Sequence, residues 1–365
     1  MSELLLEDAW FRTEALPFEV ERAIHPDDEM ARLDLLKTDP ARRRMLYMRT
    51  GYEAFLVLEN MLRAAGRTLA TTPSALDFAC GYGRVLRFLT RALPPARFTA
   101  CDIVRPAVAH VRSALGVTGV DSAAEPSALR FGRRFALITV FSLFSHLPLA
   151  RFEQFLGFLY ELLEPEGLLF FSTLSPLTIP VEQRDPSGFL YRRESGIPHL
   201  DVAEYGTTFV EPRVVREICE SLGIRHLWTL DRELWRIQDV YVIAKSDVPG
   251  LQRWIHAPLA RGWILRADLD AAGVARAEGY VRTPVTSPPV SGVSIVVDGA
   301  RKIPCLFRPH PLALPDSEGG ASFRQTDWLI EGPAPELRQG DHTIAGVAEF
   351  GAARSCFDVS LLAQA

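Results

Sequence analysis

The 365-residue sequence predicts an α/β fold: a doubly wound sheet with a final antiparallel strand, preceded by helices and followed by a β-rich region. Residues 75–89 read as a buried strand, a glycine turn and a helix whose leucines share one face. Residues 135–141 are a continuous apolar run of strand length, typical of a strand buried on both faces of a parallel sheet. Residues 224–230 and 238–245 are expected to be the antiparallel pair that closes the sheet. From about residue 254, short strand patterns alternate with Pro and Gly turns, which indicates an all-β domain. These patterns are at residues 262–266, 292–297, 302–307, 328–330, 343–350 and 356–362.

The glycine turn follows Asp77 and contains Gly81 and Gly83. Glycines at these positions permit positive φ angles and a close approach of the backbone to a ligand. The next helix is expected to begin at Arg84 or Val85. Its first N–H groups have no partners within the helix, so they are available to the same ligand.

A second strand pattern, residues 95–102, ends in Asp102 about 20 residues after the turn, which is close to the spacing expected for a carboxylate that binds ribose hydroxyls. Two other nucleotide folds compete for this pattern. A hydride-transfer dinucleotide fold requires a third glycine where the sequence has Leu86, and a P-loop requires Lys where it has Arg84. Neither of these two folds is favoured.

Residues 77–83, Asp-Phe-Ala-Cys-Gly-Tyr-Gly, resemble the first motif of the class I S-adenosylmethionine-dependent methyltransferases, D-x-G-x-G-x-G. Ala79 stands where the family has its first glycine, and we expect a negative φ angle there. Residues 163–173 resemble a second family signature, an L-x-P-G-G turn that leads into a strand, with Glu166 for one glycine and Gly167 retained. The resemblance implies a Rossmann-like fold and S-adenosyl-L-methionine as the cofactor.

The resemblance also implies roles for individual residues. Asp77 is expected to order the turn and the methionine amino group, and Asp102 to accept both ribose hydroxyls. Ser122, with Asp121, is expected beside the adenine ring, although the two residues are also consistent with a simple turn. The cofactor-binding candidates are Asp77, Ala79, Gly81, Gly83, Asp102, Ile103, Ser122 and Phe141.

The acceptor is expected at the end of the fourth strand and in an irregular, proline-containing insertion at about 175–210. His146 is the first candidate for a general base and Tyr205 the second, because a base must reach the acceptor proton. A packing or helix-capping role for His146 is the alternative. The insertion is rich in polar residues, which suits a polar small molecule such as a sugar or nucleotide-sugar. The substrate-binding candidates are Tyr191, His199 and Glu204, the last two of which are also lower-ranked candidates for the base.

Three regions follow from these patterns. Residues 1–70 are expected to be a helical segment that serves as a lid or packs against the sheet edge, and residues 71–248 to be the Rossmann-like methyltransferase domain. Residues 255–365 are expected to form an immunoglobulin-like β-sandwich, partly because Asp298-Gly299 is a strong hairpin signal. For this sandwich, homo-oligomerisation or packing on the acceptor side is favoured over sugar binding.

Composition excludes several classes of function. A net charge of −5 disfavours nucleic acid and anionic membranes as partners. The sequence has no long apolar run, no secretory signal and no pairing or metal-binding pattern among its five cysteines, so a reduced, cytoplasmic, metal-free protein is expected. Cys80, inside the glycine turn, is expected to pack rather than to act as a nucleophile.

We therefore expect an S-adenosylmethionine-dependent methyltransferase that acts on an oxygen or nitrogen of a polar small molecule. In-line methyl transfer requires donor and acceptor to be held at attack distance with water excluded. One alternative is a non-catalytic protein that retains the fold as a cofactor-binding or scaffold module. Another is a methyltransferase that acts on a macromolecule.

Overall fold

The first sheet of the computed structural model places the predicted strands side by side. The structure describes residues 2–32, 42–194, 201–285, 287–310, 323–334, 337 and 341–364. Its contacts divide the chain into two compact units. One unit comprises residues 19–32 and 50–254, and the other comprises residues 1–18, 33–49 and 255–365. The first 70 residues, expected as one helical segment, are therefore shared between the units.

Seven α-helices lie in the described residues. They are α1 Ser2–Glu14, α2 Glu29–Arg32, α3 Arg43–Ala64, α4 Leu86–Ala92, α5 Arg105–Leu115, α6 Leu149–Glu161 and α7 Pro212–Ser221. Residues 15–28, which were expected to be largely helical, are instead non-helical. In α6, the side chains of Phe152, Phe155, Leu156 and Leu159 are buried in the core against the sheet, as their helical spacing predicts.

The first unit is built on a mixed sheet. Its strands are β1 Ala75–Phe78, β2 Phe98–Asp102, β3 Thr118–Asp121, β4 Phe135–Val140, β5 Leu163–Leu174, β6 Phe189–Arg192, β7 Thr207–Val210, β8 His226–Leu234 and β9 Gln238–Ala244. Strands β3, β2, β1, β4 and β5 are neighbours in that order and all pair in parallel. Strand β9 is antiparallel to β5, and β8 is antiparallel to β9. This is the predicted Rossmann-like sheet with its antiparallel closing strand.

The insertion at 175–210 is more regular than the sequence indicates. Strands β6 and β7 form an antiparallel hairpin, and β7 pairs in parallel with the end of β5 through Leu174 and Phe209. Each strand is only four residues long, so neither carries a readable alternation. The expectation of an irregular insertion was therefore wrong over these two stretches.

The Leu-Glu-Pro-Glu-Gly signature also differs from its prediction as a turn. It lies inside β5, where the pairing with β4 shifts register between Phe135 and Leu137. Gly167 does not have a positive φ angle. Glycine is required there for space, because a Cβ atom would lie 2.8 Å from the carbonyl oxygen of Phe135.

In the second unit, two sheets share one hydrophobic core. Its strands are β10 Arg261–Leu269, β11 Val274–Pro284, β12 Gly292–Val297, β13 Arg301–Pro304, β14 Leu306–Pro309, β15 Phe323–Pro333, β16 Thr343–Phe350, β17 Ala353–Leu361 and β18 Ala363–Gln364. One sheet has the order β14-β15-β11-β10-β18, and the other has the order β13-β12-β16-β17. The β-rich region is thus confirmed, whereas an immunoglobulin-like topology stays a prediction.

The hairpin between β12 and β13 has the predicted turn. Asp298 and Gly299 have φ angles of 52° and 71°, and the N–H of Ala300 donates to the carbonyl of Val297 at 3.0 Å. Two consecutive residues with positive φ angles identify a type I′ turn, whose twist matches that of paired strands. The Asp-Gly signal was therefore sufficient for this hairpin.

Helix α1 belongs to this second unit. The carboxylate of Glu14 accepts the N–H of Cys356 in β17 at 3.0 Å. A buried carboxylate on the same strand, Asp358, accepts hydrogen bonds from the guanidinium of Arg42 at 3.0 Å and from the N–H of Ile264 at 2.9 Å.

Among the described residues, no helix is both long and apolar enough to cross a membrane.

Candidate active site

The two carboxylates of the predicted nucleotide-binding motif, Asp77 and Asp102, lie near the carboxyl ends of neighbouring strands in the first sheet. Asp77 is paired with Ala100 in the neighbouring strand, and Asp102 lies two residues further along that strand. Since side chains alternate along a strand, Asp77 and Asp102 point to the same face. Both are near the carboxyl ends of parallel strands, where open α/β sheets hold ligands.

Asp102 connects the glycine turn to the end of β2. Its Oδ2 atom accepts the N–H of Gly81 at 2.7 Å, and its Oδ1 atom accepts the N–H of Val104 at 2.8 Å. Burial raises the pKa of this carboxyl, and the backbone N–H groups of Val104, Gly81 and Ile103 act in the opposite direction. A carboxylate has about four lone-pair sites, so two hydroxyl groups of a ligand can still be accepted.

Asp77 is buried beside β4. The hydroxyl of Thr139 donates to its Oδ1 atom at 2.9 Å. Burial raises the pKa of Asp77 to about 7, although the Thr139 hydrogen bond lowers it and the charge of Asp102 adds to the rise. A cationic group nearby would favour the ionised form of this carboxyl.

The glycine turn contains three residues with positive φ angles. These are Ala79 at 60°, Gly81 at 53° and Gly83 at 79°. The expectation of a negative φ angle at Ala79 was therefore wrong: the chain leaves β1 in the left-handed conformation that a glycine would adopt more easily. A Cβ atom on Gly81 would meet nothing within 4 Å, so this position faces open space.

A buried arginine joins the turn to the N-terminal segment 19–32. The guanidinium of Arg87 donates to the carbonyls of Glu21 at 2.8 Å and Ala23 at 3.1 Å, and its Nε donates to the carbonyl of Gly83 at 3.2 Å. Further along this segment, the ring of His25 stacks on Tyr82, with centroids 4.6 Å apart. Segment 19–32 therefore lies against the glycine turn.

The contact between Arg87 and segment 19–32 was not among the predictions for the site. Arg87 interrupts an apolar helix, Val85-Leu86-Arg87-Phe88-Leu89, and its side chain is only 1% exposed. A long cation at such a position was a readable signal, because buried arginines must have partners. Nothing in the sequence identified carbonyls more than 60 residues earlier as those partners.

His146 and Tyr205, the two candidates for catalysis, are brought together. Their rings stack with centroids 4.5 Å apart, and the Nδ1 atom of His146 lies 2.8 Å from the carbonyl oxygen of Gly206. A carbonyl only accepts hydrogen bonds, so Nδ1 carries the proton in the neutral ring and Nε2 keeps its lone pair. Burial lowers the pKa of His146, which favours this neutral form.

Three polar side chains, Ser142, Ser172 and Gln238, support the loop after β4. Ser142 has a φ angle of 67°, and its N–H donates to the hydroxyl oxygen of Ser172 at 3.0 Å. The Ser172 hydroxyl donates to Gln238 at 2.7 Å, and the Gln238 amide donates back to the Ser142 hydroxyl at 3.0 Å. This closed network holds the loop that leads to His146.

The remaining candidates lie around the same strand ends or in the insertion. Ile103 is 45% exposed just after β2, and Phe141 packs against Phe170 with centroids 5.5 Å apart. The N–H of Ser122 donates to the carbonyl of Asp102 at 2.8 Å. In the insertion, the Tyr191 hydroxyl donates to the carbonyl of Val202, Glu204 pairs with Arg151, and His199 lies outside the described residues.

Part of the sequence matches a known protein family. Residues 75–167 match the family described as a methyltransferase domain, and this range includes Asp77, Asp102 and His146. None of the curated proteins matches the sequence.

The chain is also similar to solved structures. A complex of DhpI with SAM and HEP is 17% identical, with 46% of this chain and 77% of that chain covered and a TM-score of 0.36. DesVI of Streptomyces venezuelae is 17% identical, with coverages of 53% and 97% and a TM-score of 0.39. The magnesium protoporphyrin IX methyltransferase ChlM of Synechocystis PCC 6803 with bound SAH is 15% identical, with coverages of 55% and 86% and a TM-score of 0.38.

Proposed function

We propose, from the match of residues 75–167 to the family described as a methyltransferase domain, that the chain is an S-adenosylmethionine-dependent methyltransferase that acts on an oxygen or nitrogen of a polar small molecule. One observation carries the proposal. The Asp102 carboxylate, fixed by the N–H groups of Gly81 and Val104, and the stacked pair of His146 and Tyr205 both lie beyond the carboxyl ends of the parallel strands. A donor site and an acceptor site on one edge of a sheet are what methyl transfer requires.

In this proposal, the cofactor lies along the glycine turn. The carboxylate of Asp102 accepts the two ribose hydroxyls, and ionised Asp77 compensates the positive charge of the methionine portion. Gly81, which faces open space, permits close approach of the backbone. Ile103, Ser122 and Phe141 surround the strand ends as further contacts, with the exposed apolar side chain of Ile103 suited to one face of the adenine ring.

The chemical step needs little covalent chemistry from the protein. Bound S-adenosylmethionine supplies an electrophilic methyl group on a sulfonium. The acceptor lone pair forms a bond to the methyl carbon while the carbon–sulfur bond breaks, its electrons stay on sulfur, and S-adenosylhomocysteine remains. The acceptor proton moves to Nε2 of His146, whose neutral form is favoured by burial. Tyr205 packs on that ring and fixes its orientation.

The proposed acceptor is polar, as a sugar or nucleotide-sugar would be. Support comes from the polar residues of the insertion, including Tyr191 and Glu204, and from the net charge of −5, which does not suit a nucleic acid. The insertion is attached to the catalytic loop, because the N–H of Gly206 donates to the carbonyl of His146 at 2.8 Å.

Formation of S-adenosylhomocysteine tests the proposed activity. The enzyme is incubated with S-adenosylmethionine and a panel of sugars, nucleotide-sugars and other polar metabolites, and the product is quantified by mass spectrometry. At least one acceptor should raise product formation above the acceptor-free rate in the wild type. If the protein binds the cofactor but forms no additional S-adenosylhomocysteine with any acceptor in the panel, the result would instead support the non-catalytic alternative.

A further inference from the structure

Glu29, the first residue of α2, carries an oxygen atom that lacks a partner. Its Oε2 atom is buried and makes no hydrogen bond to any residue that the structure describes. A buried carboxylate oxygen without a hydrogen bond or a counter-charge is costly. Such an atom next to a ligand crevice indicates that the ligand supplies the missing interaction.

The backbone brings Glu29 to the glycine turn. His25 stacks on Tyr82, and the N–H of Asp28 donates to the carbonyl of His25 at 3.0 Å, which forms the turn that leads directly to Glu29. The hydrogen bonds of Arg87 to Glu21 and Ala23 hold the start of the same segment. The position of Glu29 is therefore determined by contacts at both the ring and the buried arginine.

Glu29 also lies within electrostatic reach of both sides of the site. Its charge contributes to the raised pKa of Tyr82, after burial and the charges of Asp27, Asp28 and Asp102. It contributes likewise to the raised pKa of Tyr205, after burial and the charge of Asp102. Tyr82 belongs to the turn that faces the methionine portion, whereas Tyr205 packs against the proposed base.

We propose that the Glu29 carboxylate faces the sulfonium of bound S-adenosylmethionine and makes the site prefer the cationic donor over the neutral thioether product. The inference rests on the proposed function and adds to it a selectivity device. The sulfonium must lie between the methionine-binding turn and the acceptor, and the charge of Glu29 acts on Tyr82 of that turn and on Tyr205 beside the proposed base. The ammonium and carboxylate of the methionine portion are the same in donor and product, so only a charge near sulfur distinguishes the two.

Calorimetric titration of donor and product into matched variants tests this inference. Glu29→Gln keeps the shape and removes the charge, so it should weaken S-adenosylmethionine binding by about tenfold while S-adenosylhomocysteine binding changes by less than about twofold. Glu29→Asp retains the charge and should preserve most of the preference. Glu19→Gln is the control, because this carboxylate at the start of the same segment is exposed and should not affect the ratio.

A second ligand keeps the test decisive if a variant is less stable. Sinefungin carries an ammonium-bearing carbon in place of the methylated sulfur, so Glu29→Gln should weaken it as it weakens the donor. Equal weakening of donor and product, or no change in either, would overturn the inference while the proposed function stands. Failure of the wild type to bind S-adenosylmethionine would overturn both.

Discussion

Ala79 occupies a backbone conformation that favours glycine, and this has a consequence for stability. The left-handed conformation costs an L-residue about 1–2 kcal/mol, whereas glycine adopts it freely but loses about 0.5–1 kcal/mol more conformational entropy on folding. Ala79 has a φ angle of 60°. Replacing it with glycine removes the strain at the junction of β1 and the turn.

We expect Ala79→Gly to stabilise the protein by up to about 1 kcal/mol. The measurement is the midpoint of urea unfolding, read with the slope held common to both proteins. Ala75→Gly is the control, since Ala75 lies inside β1 and its loss of a buried methyl group should destabilise. A lower midpoint for Ala79→Gly would show that the alanine methyl group contributes packing that exceeds the strain.

The lowered pKa of His146 predicts how activity depends on pH. The proposed base acts in its neutral form, and burial lowers the pKa of this histidine. Activity should therefore persist below the ordinary histidine pKa of about 6.5 and fall only as the pH drops through the lowered value. The profile of kcat/KM against pH checks the position of this acid limb.

The matched variant is His146→Asn, whose amide can still donate to the carbonyl of Gly206. It should lower kcat by about 10²- to 10⁴-fold and abolish the acid limb, because the acceptor proton has no base to receive it. Cofactor affinity should stay within about twofold of the wild type. Wild-type turnover in His146→Asn would assign the ring a packing role only.

At the scale of elements, segment 19–32 depends on helix α4 through Arg87. In Arg87→Met, the carbonyls of Glu21 and Ala23 lose their donors, so the segment should detach from the glycine turn. We expect faster amide hydrogen exchange across residues 19–32 and about tenfold weaker cofactor binding. Arg91→Met, an exposed change on the same helix, should leave both unchanged. If amide exchange across residues 19–32 is unaltered in Arg87→Met, Arg87 does not hold this segment against the glycine turn.

The elements also show what could be predicted from the sequence and what could not. The strand, turn and helix from Ala75 to Ala92 and the closing pair β8 and β9 were readable, because local periodicity and glycine spacing encode them. Strand β11 was missed, since Arg276, Glu278 and Arg282 interrupt its apolar pattern. The hairpin of β6 and β7 was missed because each strand spans four residues.

The predictions for the site divide in the same way, into positions that a motif specifies and contacts that it does not. Residues that a motif fixes in spacing, such as Asp77 and Asp102, were placed at the correct strand ends. Interactions between distant segments were not, because a sequence pattern specifies a residue type and not its partner. The stack of His25 on Tyr82 and the network of Ser142, Ser172 and Gln238 are of this second kind.

For the whole molecule, the two compact units interleave along the chain. Residues 19–32 belong to the unit that carries the proposed site, whereas residues 1–18 and 33–49 belong to the β-rich unit. Within that unit, Arg42 pairs with buried Asp358 and Glu14 accepts the N–H of Cys356. A chain cut after residue 254 would leave these N-terminal side chains without their partners, so the catalytic unit should be studied in the full chain.

The most direct test of the account is the binding of S-adenosylmethionine to the full chain by calorimetry, compared between wild type and Asp102→Asn. We predict that the wild type binds one equivalent and that Asp102→Asn binds at least about thirtyfold more weakly, because a charged acceptor of the ribose hydroxyls is lost. Asp247→Asn, at an exposed carboxylate after the end of β9, should bind as the wild type does. No binding to the wild type at millimolar cofactor, or equal affinity in Asp102→Asn, would contradict the cofactor site described for this crevice.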